Sequence, residues 1–432
     1  MQMYMMKISM RTPKDDLIEK QKDCSDYCIC NSYVKRYLHK LIYKRKHCML
    51  NVFTHTDDIN NIAALSSKAT ADTPESDEEM RGVWVSYMEL SMENESSKTQ
   101  KAFEDKFTEI AQKCRESGFN TLIVQVRPFC DALYKSSYFP WSHILTGTQG
   151  ENPQYDALQI MCDICKENNL KIHAWINPYR VSSNETPKKL SDNNPYIKNS
   201  EIGIKTDNGI FLDPSNETAQ QLVCDGVKEI AENYDVDGIQ FDDYFYPTED
   251  ESFDKKQYEA YIEKYGKENS MSLDNWRMQN VNTLICKVYR TIKSVDSSVE
   301  FGISPQGNIG NNDGLYADVK SWCTCKGFAD YICPQIYFSL ENPALTFEDC
   351  LNSWTSLDFD ENVKLYVGLG GYKAGNGEYD EETWLLSDSI LADEYDILRN
   401  NKSVRGFMLY SYSCLEDDTA KKEINNLINA LN

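Results

Sequence analysis

Two adjacent carboxylates, Asp242 and Asp243, stand at the end of the apolar run Gly238-Ile-Gln-Phe. Neighbouring charges repel, and burying both raises at least one pKa. A carboxyl raised toward neutrality is a proton donor at working pH, as glycosidic cleavage requires. Other polar groups recur at the ends of similar runs: Gln125-Val-Arg127, Trp175-Ile-Asn177-Pro-Tyr179-Arg180, Gln240-Phe-Asp242-Asp243-Tyr244, Ser304-Pro-Gln306, Gln335-Ile-Tyr337, Gly370-Gly371-Tyr372 and Tyr410-Ser-Tyr412. Alternate positions such as His173, Trp175 and Asn177, or Gln240 and Asp242, share one face of a strand. A pocket walled by amides, Arg, Tyr and Trp suits a polyhydroxylated ligand, because amides and Arg bond hydroxyls while aromatic faces cover the apolar faces of sugars. The candidate substrate-binding set is Arg127, His173, Trp175, Asn177, Tyr179, Arg180, Gln240, Tyr244, Gln335, Tyr337 and Tyr372.

The elements that would position these groups are eight short apolar runs: Gly82–Tyr87, Thr121–Val126, Lys171–Ile176, Gly238–Asp242, Val299–Ser304, Ala329–Gln335, Leu365–Leu369 and Gly406–Tyr410. Continuous apolar strands belong to parallel sheets covered on both faces. Amphipathic helices alternate with them. Phe103, Phe107, Ile110, Ala111 and Cys114 recur at helical spacing, and the pattern stops at Gly118, a natural C-cap. Leu222, Val223, Val227, Ile230 and Ala231 repeat the theme, as do Leu284, Ile285, Val288, Tyr289 and Ile292. Further helices fit around Phe347–Trp354, Thr383–Leu398 and Lys421–Leu431. The fold class is therefore α/β, a (β/α)₈ TIM barrel with long βα loops, and catalytic groups belong at the C-terminal ends of its strands.

Composition narrows the function. A net charge of -23 argues against nucleic acid, whose phosphates need a basic face, and favours a neutral or cationic substrate. The first 50 residues carry 11 Lys/Arg against 5 Asp/Glu, a net of +6, which leaves -29 for the rest. Residues 1–80 read as a poorly ordered or partly helical leader and linker, and 81–432 as the catalytic domain. No apolar stretch is long enough for a transmembrane helix, and no signal-peptide apolar core is evident. The 15 Cys are scattered, and many sit in apolar patterns where a free thiol packs as a small hydrophobe. The patch of Cys24, Cys28, Cys30, His39, His47 and Cys48 fits no common zinc template. With 5 His, no HExxH pair, no G-x-G-x-x-G after the first strand and no P-loop, neither metal nor cofactor is expected. Nothing in the sequence sets an oligomeric state.

Several segments together resemble one family: Arg81-Gly-Val-Trp84, Asn120-Thr-Leu-Ile-Val-Gln-Val-Arg-Pro128, Asp131-Ala-Leu-Tyr134, Tyr138-Phe-Pro-Trp141, His173-Ala-Trp-Ile-Asn-Pro-Tyr-Arg180, Leu212-Asp-Pro214, Val236-Asp-Gly-Ile-Gln-Phe-Asp-Asp-Tyr-Phe-Tyr-Pro247, Phe301-Gly-Ile-Ser-Pro305 and Asp330-Tyr-Ile-Cys-Pro-Gln-Ile-Tyr337. The set is similar to the glycosyl-hydrolase-like family 10, over about residues 80–415. The resemblance implies a bacterial glycosidase-like barrel, usually exported, acting on poly- or oligosaccharide. It points to peptidoglycan glycan strands and to an extracellular or cell-envelope location. One departure is Gln306-Gly-Asn308, where the family carries an aromatic-containing stretch.

Adjacent carboxylates do not easily flank one bond from opposite sides, because retaining enzymes hold such a pair about 5–5.5 Å apart and usually draw it from different strands. Adjacency suits substrate-assisted cleavage of an N-acetylated sugar, with Asp242 orienting the acetamido group and Asp243 protonating the leaving oxygen. Tyr244, Asn177 and Tyr337 would steady the sugar. Two alternatives stand beside this. In one, Asp242 is a direct nucleophile, as in alpha-amylase-like barrels acting on a plain glucan, and Glu89 supplies the acid. In the other, the barrel binds carbohydrate without cleaving it.

Overall fold

The structure, a computed structural model, describes residues 78–432 apart from Glu185. The basic leader and the Cys24–Cys48 patch lie outside the described residues. In chain order the strands are β1 (Met80–Val85), β2 (Thr121–Arg127), β3 (Lys171–Ile176), β4 (Arg180–Ser183), β5 (Gly203–Thr206), β6 (Gly209–Leu212), β7 (Gly238–Phe241), β8 (Glu300–Ile303), β9 (Tyr331–Ile332), β10 (Lys364–Leu369) and β11 (Val404–Tyr410). Eight of them close a parallel barrel in the order β1-β2-β3-β7-β8-β9-β10-β11, and Met80 registers with Gly406 across the closing seam. This is the TIM barrel that the eight apolar runs imply. The other three, β4, β6 and β5, form a small antiparallel sheet that the sequence reading does not contain. Each has only four residues of mixed character, Arg180-Val-Ser-Ser183, Gly203-Ile-Lys-Thr206 and Gly209-Ile-Phe-Leu212, too few for a period to emerge.

Helices follow the apolar stripes. Gln100–Glu116 buries Phe103, Phe107, Ile110, Ala111 and Cys114, and Thr99 caps it by accepting from the Ala102 amide. Each buried Phe contributes about 1.5–3 kcal/mol. The chain leaves this helix through Gly118 at φ +87°, a left-handed conformation that costs glycine least. The stretch expected as one helix over Thr383–Leu398 is two, Thr383–Leu386 and Ile390–Arg399. Between them the Ser387 hydroxyl takes the Ser389 amide at 3.2 Å, a side-chain bond that competes with the helical ladder. The sixth barrel strand is also shorter than the expected Ala329–Gln335, because Pro334 has no N–H to give the ladder; beyond it Gln335 makes only isolated bridges to Gln306 and Gly368.

Large side chains fill the barrel where facing positions are glycine. A Cβ on Gly302 would lie 1.9 Å from the Tyr331 ring, and one on Gly238 would lie 2.6 Å from His173. Tyr331, Trp84, Trp175 and Met408 pack into one buried cluster, and Gln240 ties it together. Its carbonyl accepts from Trp84 Nε1 at 2.6 Å, and its amide donates to the Tyr331 hydroxyl at 3.3 Å. The barrel is thus plugged, and only its C-terminal mouth is open to chemistry.

Candidate active site

Strand β7 delivers Asp242 and Asp243 to that mouth, with 4% and 9% of their surfaces exposed. Alternation along the strand aims Asp242 the same way as Gln240, two residues below. Asp242 Oδ2 accepts from Trp175 Nε1 at 3.0 Å and from Asn177 Nδ2 at 3.2 Å, and its Oδ1 accepts from the Tyr244 amide at 3.3 Å. Asp243 turns toward β8, where Gln306 Nε2 donates to its Oδ2 at 3.0 Å. Gln335 donates to the same carboxylate and also holds the Ser304 carbonyl at 2.9 Å.

Burial pushes both carboxyls up. For Asp242 the charge of Asp243 adds to burial, and the group is raised to about 7, despite the Arg180 guanidinium and the donors from Trp175 and Tyr244. Asp243 is also raised by burial, but the Gln306 and Gln335 amides pull it back. The two carboxyls are therefore coupled, and the charge of either favours a proton on the other. Tyr244, 58% exposed at the rim, has its hydroxyl raised chiefly by the Asp243 charge.

Around the pair stand the remaining groups. The Asn177 Oδ1 accepts the Arg180 amide at 2.9 Å, and Arg180 Nε donates to the Pro128 carbonyl at 2.8 Å. On the far side Tyr337, Tyr372 and Tyr410 pack with ring centroids 5.7–5.8 Å apart, and Tyr410 also edges onto Trp84 at 6.1 Å. Lys373 pins this wall by donating to the Tyr337 carbonyl. The loop after β7 is held by the buried Arg277, which pairs with Asp254 and donates to the Tyr316 hydroxyl at 2.8 Å and to the Asp250 carbonyl at 2.8 Å.

Of the residues expected from sequence, Trp175, Asn177, Arg180, Tyr244, Gln335, Tyr337 and Tyr372 gather around the two aspartates. Four do not. Arg127 lies buried with its guanidinium 4.4 Å over Phe139 and against Gly226 of the outer helix Glu217–Asn233. His173 sits fully buried in the barrel, its Nδ1 2.9 Å from the Tyr331 hydroxyl. Gln240 is the internal tie already described. Tyr179 is buried, and its hydroxyl has no surface to offer a ligand. These four corrections share one cause: a polar residue near a strand end can face the helix layer or the plugged interior rather than the mouth.

Glu89 is corrected as well. Its Oε2 accepts from the Ser86 amide at 2.6 Å and from the Ser86 hydroxyl, closing a capping box, while Oε1 accepts from the Ser411 hydroxyl at 2.6 Å and the Ser413 amide at 3.1 Å. The carboxylate ties the β1 loop to the β11 loop and is saturated with donors. Two site residues were absent from the expected set, Gln306 and Tyr410. Both end barrel strands, and that position was the available signal.

A parallel barrel with buried paired carboxylates at its C-terminal mouth is an architecture that glycoside hydrolases use. Residues 79–386 match the profile described as Glycosyl hydrolase-like 10, and the chain belongs to that family. It is 35% identical over 323 residues to Glycosyl hydrolase YngK of Bacillus subtilis, covering 70% of this chain and 62% of that protein. It is 32% identical over 399 residues to Glycosyl hydrolase DigH of Escherichia coli, covering 84% of this chain and 89% of that one. Among solved structures, the PgaB glycoside hydrolase domain of Bordetella bronchiseptica superposes with a TM-score of 0.53 at 10% identity, over 80% of this chain and 98% of that domain. The catalytic domain of a beta-amylase from Paenibacillus polymyxa gives 0.51 at 12% identity, over 82% and 97%. These two likenesses show the shared barrel.

Proposed function

We propose that the chain hydrolyses O-glycosidic bonds in an N-acetylated bacterial glycan, of which peptidoglycan strands are the kind the family resemblance implies. The observation that carries this reading is the buried adjacent pair Asp242-Asp243, each carboxylate held by its own set of donors at the barrel mouth. Asp242, raised to about 7, is taken as the proton donor, a division of labour opposite to the one expected from sequence. Asp243, ionised and braced by Gln306, orients the substrate acetamido N–H. Asp242 donates its proton to the leaving oxygen as the acetamido carbonyl oxygen attacks the anomeric carbon and the glycosidic bond breaks. Trp175, Asn177 and the Tyr244 amide then stabilise the Asp242 carboxylate so formed, which takes a proton from the water that opens the oxazoline ring. Configuration at the anomeric carbon is retained.

The Glu89 contacts weigh against the alternative in which Asp242 is a direct nucleophile and Glu89 the acid. Product stereochemistry tests the proposal on N-acetylated oligomers, peptidoglycan strands and a plain glucan. Retention together with a need for the N-acetyl group supports it, and robust cleavage of the glucan sinks it. Asp242→Asn and Asp243→Asn should each lower turnover by about 10²-fold or more while ligand binding persists. Unchanged turnover in both would return the barrel to a non-hydrolytic binding role. A wall-derived substrate also puts the working enzyme at the envelope or outside the cell, which fractionation of the native host tests.

A further inference from the structure

The aromatic wall does not stop at Tyr372. The Tyr372 ring meets Tyr379 edge-on, with centroids 5.5 Å apart and planes 80° to each other. A continuous path of rings thus runs from Trp84 through Tyr410 and Tyr372 to Tyr379. Tyr410 feels the charges of Asp242 and Asp243, and Tyr379 stands two rings further out. Lys373 Nζ lies 5.1 Å over the Tyr379 ring, and the side chain is half-buried, so part of it stays accessible.

The backbone that follows holds this ring at a conformational cost. Asp380, Glu381 and Glu382 have φ of +50°, +54° and +68°, three successive non-glycine residues in the left-handed region. Such a run persists only where its surroundings over-determine it, and strain of this kind gathers at working sites. One carboxylate fixes the turn here. Asp380 Oδ2 accepts the Ser339 amide at 2.8 Å and Trp384 Nε1 at 3.0 Å, while Oδ1 pairs with Lys373 at 3.4 Å. Trp384 is fully buried, and Lys373 also donates to the Tyr337 carbonyl, so the turn is stapled to the core and to the inner wall at once.

A tyrosine fixed at the outer end of such a path suits one kind of ligand. Its apolar face covers the apolar face of a pyranose, and its polar tip stays wet beside the sugar hydroxyls. A protein partner would need a broad apolar patch with few charges, whereas exposed Glu378, Glu381 and Glu382 flank this ring in the chain. The same carboxylates disfavour an anionic group, so the sugar taken there is a neutral one.

We infer that Tyr379 forms a further sugar subsite, packing a neutral pyranose of the glycan beyond the units that flank the scissile bond, and that Asp380 is the positioning residue that holds it there. This rests on the function proposed above, and it makes cleavage depend on glycan length.

The test is a length series of N-acetylated oligomers, from the disaccharide upward, with wild type, Tyr379→Ala, Tyr379→Phe and Asp380→Gly. In wild type kcat/KM should step up by about three- to tenfold at the length that first reaches Tyr379, mainly through KM, the size expected of one aromatic face contact. Tyr379→Ala should lose that step and cleave the shortest substrates as wild type does, and Tyr379→Phe should keep it. Asp380→Gly leaves the left-handed turn accessible while removing the staple, so it should lose the step as well. A step undiminished in Tyr379→Ala, or a loss of equal size at every length, overturns the subsite; a step undiminished in Asp380→Gly overturns the positioning role. Calorimetric binding of the same series in the Asp242→Asn background, with and without Tyr379→Ala, reads the step without turnover. Hydrolysis with no Tyr379-dependent step refutes this inference alone, whereas the step in binding with no hydrolysis of any oligomer by wild type refutes the proposed function alone.

Discussion

Replacing Trp175 by Phe removes a single indole N–H from Asp242 while keeping an aromatic ring in the barrel cluster. That donor lies 3.0 Å from Asp242 Oδ2 and favours the ionised form. A hydrogen bond to a charged acceptor contributes about 1.5–3 kcal/mol, and one pKa unit corresponds to about 1.4 kcal/mol. Its loss should raise Asp242 by about one to two units above its present value near 7. Since Asp242 acts in its protonated form, the alkaline limb of kcat/KM should move to higher pH by the same amount. The rate at the optimum should fall about tenfold, because the carboxylate left after proton transfer is less well stabilised. The assay is a pH series of initial rates on an N-acetylated oligomer, with near-ultraviolet dichroism as a check on folding. Asn177 still donates to the same oxygen, so the carboxyl keeps its orientation. A limb that stays in place, or moves to lower pH, in a folded variant would show that Asp242 is not the group that must be protonated.

Asp242 also bears on stability. Its folded-state pKa lies above the ordinary carboxylate value near 4, so its contribution is most favourable at low pH and is lost as pH rises through about 7. Asp242→Asn should therefore be more stable than wild type by about 2–4 kcal/mol at pH 8, with the gain shrinking as pH falls and vanishing at about pH 3, below the unfolded pKa, as read by denaturant midpoints. Glu89→Gln should leave the alkaline limb of kcat/KM where it is and lower the melting temperature, with a cost of about 1–3 kcal/mol for mismatching donors at the cap; a displaced limb would restore Glu89 as the acid. Gly226→Ala should destabilise by about 1–3 kcal/mol, since its Cβ would meet Arg127 Nη1 at 2.1 Å and Phe139 at 2.5 Å. Thermal melts check this, and an unchanged melting temperature would mean that Arg127 is free to move.

The barrel was legible because each of its strands overlaps an apolar run; Lys171–Ile176 has the boundaries the pattern gives, while others, such as Tyr331–Ile332, are shorter or shifted. Short polar strands such as β4 carry no such pattern, and the sheet they form became visible only in three dimensions. For the site, strand ends located the region but not the direction of each side chain. Trp175 and His173 alternate on one strand face, yet Trp175 reaches Asp242 while His173 lies one layer deeper against Tyr331. Depth along the barrel axis depends on strand stagger, which a single sequence does not encode. Likewise Glu89 has the chemistry of an acid; its capping box with Ser86 is local, but its tie to Ser411 and Ser413, more than 300 residues away in sequence, is visible only in the fold.

The brevity of β9 has a consequence for a polymeric substrate. Among named strand residues Tyr331 and Ile332 alone register with β8 and β10, and beyond them the pairing continues as single bridges at Gln335. One bank of the cleft therefore rides on the most lightly stitched seam of the barrel, while the opposite bank, at β2–β3, is laced along six registered positions. A chain molecule lying across the mouth would meet a bank held at its rim by single bridges rather than by a continuous ladder. Gln335, which sits on that bank and donates to Asp243, links any such displacement to the reaction centre.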